Sequence, residues 1–426
     1  MEKEVAVFWF RRDLRLEDNC ALFHALNSKY PVLPVFIFDK DILADLPKND
    51  ARVQFIHQSL FKINSELQKV NASLYILNKT VVDAWKQILQ EFNVKEVFFN
   101  RDYEPYANKR DVKISNLCKS KDAEVKSFKD QVIFEKNEIT KADGLPYTVY
   151  TPYKKKWLNA YQNSTIQQFP SEKLTHNFFK NTYQFPTLQE IGFIENNIKV
   201  LPINSKCIDN YELYRDIPTV ETSNISVHLR FGTISIRKLM AYAIKTEATF
   251  TSELIWREFF MQILYHFPKV VNENFKSKYN FIPWRNNEQE FKLWCEGKTG
   301  YPIVDAGMRQ LNATGYMHNR VRMIVASFLN KHLLIDWRWG EAYFAEKLLD
   351  YDLSANNGNW QWVAGTGCDS APYFRVFNPL TQQKKFDPNL KYIKKWNPNY
   401  QDIPEIVEHK FARERYLEVV KKSLVQ

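Results

Sequence analysis

Three stretches of this 426-residue chain gather groups that chemistry would use. In the first, Glu253, Trp256 and Arg257 stand at i, i+3 and i+4, so on a helix a carboxyl group, a large flat ring and a cation share one face. A second stretch spaces Asn319 and Met323 at i and i+4, with Arg320 and Arg322 beside them and Gly315 shortly before. The third, Asp350-Tyr-Asp-Leu-Ser-Ala-Asn-Asn-Gly-Asn-Trp-Gln-Trp362, holds two acids, four amides and two tryptophans in thirteen residues. That composition makes a poor core and a poor linker, and it reads as a binding loop. The plainer alternatives are a solvated face with one buried tryptophan for the first stretch and core packing of Met323 for the second.

Hydrolytic chemistry lacks its usual residues: there is no H-E-x-x-H and no G-x-S-x-G, and the eight histidines are isolated. Gly297-Lys298-Thr299 resembles the end of a phosphate-binding loop, but Lys292 stands where that loop's first glycine belongs and the preceding segment reads as helix. Only 11 glycines are present and the first is Gly144, which excludes a glycine-rich phosphate cradle from the first third of the chain. Five scattered cysteines show no C-x-x-C spacing, so neither a disulfide framework nor a metal site is indicated, and a reducing compartment fits best. No apolar run approaches the ~18 residues of a membrane span. A cytoplasmic protein is expected.

The elements that must position these groups fall into two kinds. Val5–Phe10, Leu33–Phe38, Ser73–Leu77 and Val94–Phe99 read as strands, with helical stretches near 51–69, 80–92 and 106–119, an alternation that predicts a parallel sheet covered on both faces. From about Thr140 to Ser205 the pattern breaks into Pro-, Asn- and Tyr-rich sequence without a period; after about Asn210 it is helical throughout. The expected layout is therefore an α/β domain at 1–130, an interdomain linker at 131–205 and an all-α domain at 206–426. The formal net charge is +10, of which the first 140 residues carry +1 and the remainder +9. Eight of the 11 tryptophans lie from Trp256 onward. Basic charge and flat rings in one region suit nucleic acid, since phosphates reward Lys and Arg and exposed bases reward stacking.

Five motifs in order carry a resemblance: Trp9-Phe-Arg-Arg-Asp-Leu-Arg-Leu-Glu-Asp-Asn19, Glu253-Leu-Ile-Trp-Arg-Glu-Phe259, Gly297-Lys-Thr-Gly-Tyr-Pro-Ile-Val-Asp-Ala306, Met317-His-Asn-Arg-Val-Arg-Met323 and Ala355-Asn-Asn-Gly-Asn-Trp-Gln-Trp362. Together they resemble the photolyase/cryptochrome family, and within it the bacterial class I cyclobutane pyrimidine dimer photolyases, over nearly the whole chain. The resemblance implies a Rossmann-like N-terminal α/β domain and an all-α domain holding FAD. It implies DNA containing pyrimidine dimers as partner, and light-driven electron transfer from reduced, anionic FAD to a dimer flipped out of the duplex.

Carried over position by position, the resemblance puts Tyr211, the run Thr222, Ser223, Asn224, Ile225 and Ser226, and Arg322, Asp350, Asp352 and Asn356 around the flavin, with Arg322 and Asp350 paired and Asn356 at flavin N5. Glu253, Trp256, Asn319, Met323 and Trp362 would surround the dimer, Glu253 with its pKa raised so that it donates to a thymine carbonyl. Arg215, Arg320 and Gln382 would touch the DNA backbone, and Trp284, Trp337 and Trp360 would carry electrons from the surface to oxidised flavin. Phe250 replaces a tryptophan common beside the cofactor, and Trp339 is an extra ring without an assigned role. Tyr106 and Ala107 stand where folate-binding members carry an Asn-Glu pair. Asp102, Glu104 and Pro105 favour a deazaflavin or flavin antenna over methenyltetrahydrofolate, with an empty site as the third case. A cryptochrome-type receptor is the main alternative; the intact dimer-contact set and a chain ending at Gln426 without a signalling tail are read against it. Repair of (6-4) photoproducts would want a histidine pair that His318 alone does not provide. A monomer is expected.

Overall fold

A computed structural model of the chain describes residues 4–424, so Gln426, on which the expectation of a missing tail rests, lies outside the described residues. The structure divides into two compact units. The first runs to Ile139 and adds Trp157–Pro202 and Ile225–Lys245; the second holds Thr140–Lys156, Ile203–Asn224 and the chain from Thr246 onward.

Strands β1 (Glu4–Phe10), β2 (Val32–Asp39), β3 (Tyr75–Lys79), β4 (Asn93–Asn100) and β5 (Glu124–Phe128) form one sheet in the order β3-β2-β1-β4-β5. All neighbours are parallel, with Val7 opposite Leu33 on one side and Val97 on the other. Four strands fall where the apolar runs place them. The fifth carries Glu124 and Lys126 on an edge, and its half-buried residues give no apolar run to read. Helices of this part of the chain are α1 (Cys20–Leu26), α2 (Lys40–Leu43), α3 (Ala51–Gln68), α4 (Val81–Glu91) and α5 (Pro105–Lys119). Val5, Val7 and Trp9 pack with Trp85 and Ile88 of α4 and Ile114 and Cys118 of α5, while the alternate residues Ala6, Phe8 and Phe10 face the other way.

The remaining helices are α6 (Tyr150–Gln162), α7 (Tyr211–Tyr214), α8 (Ile225–Phe231), α9 (Ile236–Thr246), α10 (Ala248–His266), α11 (Glu288–Cys295), α12 (Pro302–Thr314), α13 (Asn319–Ser327), α14 (Trp337–Lys347), α15 (Leu353–Ala364), α16 (Pro379–Phe386), α17 (Lys391–Trp396) and α18 (His409–Ser423). The expected linker at 131–205 differs from what forms: it contains α6, and its residues are shared between the units. Residues 225–245, expected within the all-α domain, belong to the first unit, where a buried ion network holds α9. Arg237 bonds Asp18 at 3.0 Å and Asp130 at 2.8 Å, and Arg15 bonds Asp130 at 2.6 Å. Burial alone would raise the Asp130 pKa; the two guanidinium groups outweigh it and hold the carboxyl below its usual range.

In the second unit the core gathers around α12, α13 and α15, with Trp294, Trp337 and Trp360 fully or almost fully buried. Close approach of α14 and α15 depends on Gly340, where a Cβ would run into the Trp360 ring. The Gly297-Lys-Thr-Gly motif is structural. Asp305 accepts from the Thr299 amide at 2.7 Å, the Thr299 hydroxyl at 2.6 Å and the Gly300 amide at 3.0 Å, a turn that starts α12.

Candidate functional site

Helix α10 sets the centre of the site. Glu247 caps its N-terminus by accepting from the Thr249 amide at 2.9 Å, and a buried face including Leu254, Ile255, Phe259 and Phe260 anchors it. A Cβ at Gly358 of α15 would overlap the Phe260 ring, so this glycine lets the two helices approach closely. Anchoring that face leaves Glu253 and Trp256 half-buried, one turn apart. On its own helix Trp256 meets Phe259 edge-on and Phe260 in a stack, both at 5.5 Å. Tyr150 of α6 lies parallel to it, with ring centroids 3.5 Å apart and planes at 8°, and donates its hydroxyl to the Ser252 carbonyl at 2.7 Å.

Glu253 Oε1 pairs with Arg215 Nη1 at 2.9 Å. Burial raises the Glu253 pKa above the ordinary carboxyl value even against the lowering field of Arg215 and Lys154. The Arg215 guanidinium also lies 5.4 Å over the ring of Tyr211, which in turn meets Phe250 edge-on at 5.2 Å. Phe250 thus keeps an aromatic contact where the sequence departs from the family pattern.

Helix α13 begins at His318, whose Nδ1 accepts from the Arg320 amide at 3.2 Å. Burial pushes the His318 imidazole down to about 4, so it is neutral near pH 7. Asn319 is exposed in the first turn. Arg320 bonds Asp216 at 2.6 Å, lies 4.6 Å over the Phe386 ring and reaches the Met323 sulfur at 3.6 Å. Two residues on, Arg322 bonds Asp350 at 2.9 Å and the Met317 carbonyl at 2.8 Å, so the expected pair is present.

Helix α15 is capped by Asp352, whose carboxylate accepts from the Ser354 amide at 3.1 Å and the Ala355 amide at 3.2 Å. Asn356 follows one turn later. Its Nδ2 donates to the Glu341 carboxylate at 2.8 Å and to the Glu341 carbonyl at 3.1 Å. Both partners only accept, which fixes the amide's orientation. Burial raises the Glu341 pKa. Trp362 is half-buried on the same helix, and Gln382 is half-buried on α16.

Of the three tryptophans expected to carry electrons, Trp360 and Trp337 are buried and Trp284 is half-buried. Trp337 donates Nε1 to Asn274 at 2.8 Å, and Trp360 meets Phe344 at 5.0 Å and Trp294 at 6.3 Å. Trp339 packs edge-on to Phe291 at 5.2 Å, a core contact. Thr222, Ser223 and Asn224 belong to the second unit, while Ile225 and Ser226 open α8 in the first. Asn224 turns the chain with φ of 55°, and Thr222 donates to its side chain at 3.2 Å.

At the C-terminal edge of the sheet, where open α/β sheets hold ligands, charged side chains meet one another. Arg12 bonds Glu104 at 2.8 Å and Asp102 at 3.3 Å, and Arg11 bonds Asp111 at 2.5 Å. Arg110 lies 5.0 Å over Trp9. The Tyr106 hydroxyl donates to Asp39 at 2.5 Å, and Ala107 is buried.

Sequence reasoning assembled Glu253 with Trp256 and Arg322 with Asp350. It missed Tyr150, Lys154, Asp216 and Glu341, which hold or face the named groups. Lys154 and Tyr150 fall in the stretch read as linker. Asp216 and Glu341 stand one residue or one helix away from named positions, and only tertiary packing marks them.

Residues 6–173 match the family model described as DNA photolyase, and residues 250–423 match the FAD binding domain of DNA photolyase. A deoxyribodipyrimidine photo-lyase of Halobacterium salinarum is 37% identical over 95% of this chain and 91% of its own length. Among solved structures, a bacterial class III photolyase from Agrobacterium tumefaciens superposes with a TM-score of 0.87 at 31% identity, over 100% of this chain and 99% of that one. An archaeal photolyase from Sulfolobus tokodaii, solved with two FAD molecules, does so with 0.84 at 35% identity, over 98% and 100%. With such identity sustained across nearly its full length, and both family models matched in order, the chain belongs to the DNA photolyase family.

Proposed function

We propose that this protein is a light-dependent lyase that splits cyclobutane pyrimidine dimers in DNA, with reduced FAD as its electron donor. The observation that carries the reading is the placement of Glu253 beside Trp256, a carboxyl group of raised pKa next to a ring backed on one side by Tyr150. When bound, FAD supplies the photochemistry, an electron lent from its excited reduced form and returned after the ring has opened.

The donor set fits that cofactor. Arg322 and the carboxylates of Asp350 and Asp352 suit the ring edge and ribityl hydroxyls, and the hydroxyls and amides of Thr222 to Ser226 suit the pyrophosphate. Tyr211 completes this group. Asn356, with Nδ2 spent on Glu341, keeps its carbonyl oxygen for an N–H of the reduced flavin. The residues of the chain do the rest. Trp256, stacked on Tyr150 at 3.5 Å and on Phe260 at 5.5 Å, is half-buried, and its exposed part would take a base, with Trp362 as a second ring. Glu253 donates a hydrogen bond to a thymine carbonyl as negative charge develops there, beside the Asn319 amide and the Met323 thioether. Arg215, Arg320 and Gln382 hold the backbone of the strand. Trp284, Trp337 and Trp360 would relay electrons from a reductant at the surface toward the cofactor when it is bound in its oxidised form.

We place the protein in the cytoplasm as a monomer. Its five cysteines are free, and no helix among the described residues is long and apolar enough to cross a membrane. The antenna reading also stays with the sequence: Tyr106 engaged with Asp39 and a buried Ala107 replace the Asn-Glu pair, which favours a deazaflavin or flavin over a folate or else an empty site. The test of the main reading is illumination of the purified holoprotein with dimer-containing DNA while thymine absorbance is followed. Recovery in light and none in the dark is expected; no recovery in light overturns the reading.

A further inference from the structure

The two arginines assigned to the DNA backbone are both engaged within the protein. Arg215 is bonded to Glu253 at 2.9 Å, and Arg320 to Asp216 at 2.6 Å. A phosphate that takes either guanidinium competes with the carboxylate already bonded to it, and the two acids differ in what a bound base does to them. The Asp216 side chain is 41% exposed, so water solvates it when released. Glu253, 33% exposed in the free protein, stands one turn from Trp256 on the same helix, so a base laid on that ring would cover it. Of the charges around it, Lys154 of α6 and Asp216 after α7 oppose each other, and Arg215 supplies the direct ion pair. Arg257 follows on its own helix, Arg320 of α13 is committed to Asp216, and α15 meets α10 through Gly358 against Phe260. His318 is neutral near pH 7 because burial holds it at about 4, so it is no source or sink of protons there.

We propose that binding of dimer DNA moves Arg215 from Glu253 to a phosphate and that Glu253 takes up one proton from solvent in the same event. The inference rests on the proposed function above and deepens it: the carboxylic acid that donates to the thymine carbonyl is created by substrate binding. The resting protein keeps Glu253 as a carboxylate held by Arg215. Arg215 is then a positioning residue as well as a phosphate contact, because its departure sets the protonation of the acid. The balance is simple: one ion pair within the protein is exchanged for one with DNA, and the released carboxylate is neutralised by a proton instead of a cation.

Linkage fixes the sign. Between the pKa of Glu253 in the free protein and its higher value in the complex, each unit rise in pH weakens binding by up to tenfold. Undamaged duplex, which fills no base site, engages Arg215 without burying Glu253 and shows a flatter dependence. The experiment is calorimetric titration of the FAD-loaded protein in the dark with an oligonucleotide bearing one cyclobutane dimer. It is run at fixed ionic strength in two buffers of different ionisation enthalpy and repeated across pH. Uptake approaching one proton per dimer is expected, lost in Glu253→Gln, which keeps a donor but cannot titrate. It is also reduced in Arg215→Gln, where Glu253 starts out protonated. Proton-neutral binding by the parent protein, or undiminished uptake in Glu253→Gln, overturns the proposal. Failure to prefer dimer over undamaged DNA would instead overturn the reading of the site on which it rests.

Discussion

Replacing Tyr150 by leucine removes the parallel ring from Trp256 and leaves its contacts with Phe259 and Phe260. The Tyr150 ring is buried, parallel to Trp256 at 3.5 Å, edge-on to Phe259 at 5.8 Å, and tied by its hydroxyl to the Ser252 carbonyl at 2.7 Å. Leucine keeps most of the apolar burial and loses the stack, about 1 kcal/mol, and the hydrogen bond, about 1 kcal/mol. A combined loss of about 2 kcal/mol should lower the melting temperature of a unit this size by roughly 4–8 °C. The effect on binding follows from side-chain freedom. Without its backing ring Trp256 samples other rotamers, and re-ordering it on the substrate costs about 0.5–1.5 kcal/mol, or roughly 2- to 12-fold in affinity. Fluorescence anisotropy in the dark with a single-dimer oligonucleotide measures this, with flavin absorbance confirming that FAD is retained. Tyr150→Phe is the discriminating control. It keeps the stack and loses only the hydroxyl, so its affinity should stay within about twofold of the parent while stability falls by about 1 kcal/mol. A leucine variant that binds as the parent does, or a phenylalanine variant as weak as the leucine one, refutes the reasoning.

Trp284→Phe should slow photoreduction of oxidised flavin and leave repair by pre-reduced protein near normal; equal loss of both would argue against an electron path through this ring. Asn356→Asp would set a carboxylate against Glu341, whose own pKa burial already raises, so one of the two must hold a proton; anaerobic spectra in the dark should show reduced flavin of altered stability, and an unchanged spectrum and lifetime would contradict the assignment. Affinity for dimer DNA should fall steeply with salt, and Arg320→Ala should reduce the slope of log K against log salt by about one, whereas a flat salt response would contradict phosphate contacts. The fully buried His332, bonded to His409 at 2.8 Å, has its pKa depressed to about 3 by burial and by the neighbouring His409, Arg415 and Lys331. Its stability contribution is therefore present above the ordinary histidine value near 6.5 and is lost as pH falls toward the folded value, by up to about 1.4 kcal/mol per unit; denaturant midpoints measured from pH 7 to 4.5 should show this slope, and His332→Gln should flatten it.

The sheet was legible because its central strands are buried on both faces and so read as apolar runs: Val5–Phe10 is wholly buried and needs no tertiary knowledge to be seen. The edge strand Glu124–Phe128 escaped for the opposite reason, since a half-buried edge permits Glu124 and Lys126. Helix α6 was hidden by Pro152 and three consecutive lysines at its start. The residues of α8 and α9 look like part of the helical half by periodicity alone, because the ion network that holds Arg237 against Asp18 and Asp130 joins positions far apart in the chain.

For the site, the long motifs identified which side chains are present; the charge state in which those side chains rest is a separate property. Glu253 and Arg215 are each expected separately, as a substrate carboxyl and a phosphate contact, and nothing in the sequence around either says that they pair at 2.9 Å. Arg320 with Asp216 and Asn356 with Glu341 repeat the pattern. In these two a residue named for its contact with DNA or flavin is held by a partner named for none, whereas Glu253 and Arg215 hold each other. That arrangement has a physical reason. A cation, an acid or an amide poised for a ligand cannot be left bare in a partly desolvated site, so the protein supplies a stand-in. Where the stand-in must leave, as at Arg215, the exchange couples binding to protonation; where it stays, as at Asn356, it fixes the orientation of the group.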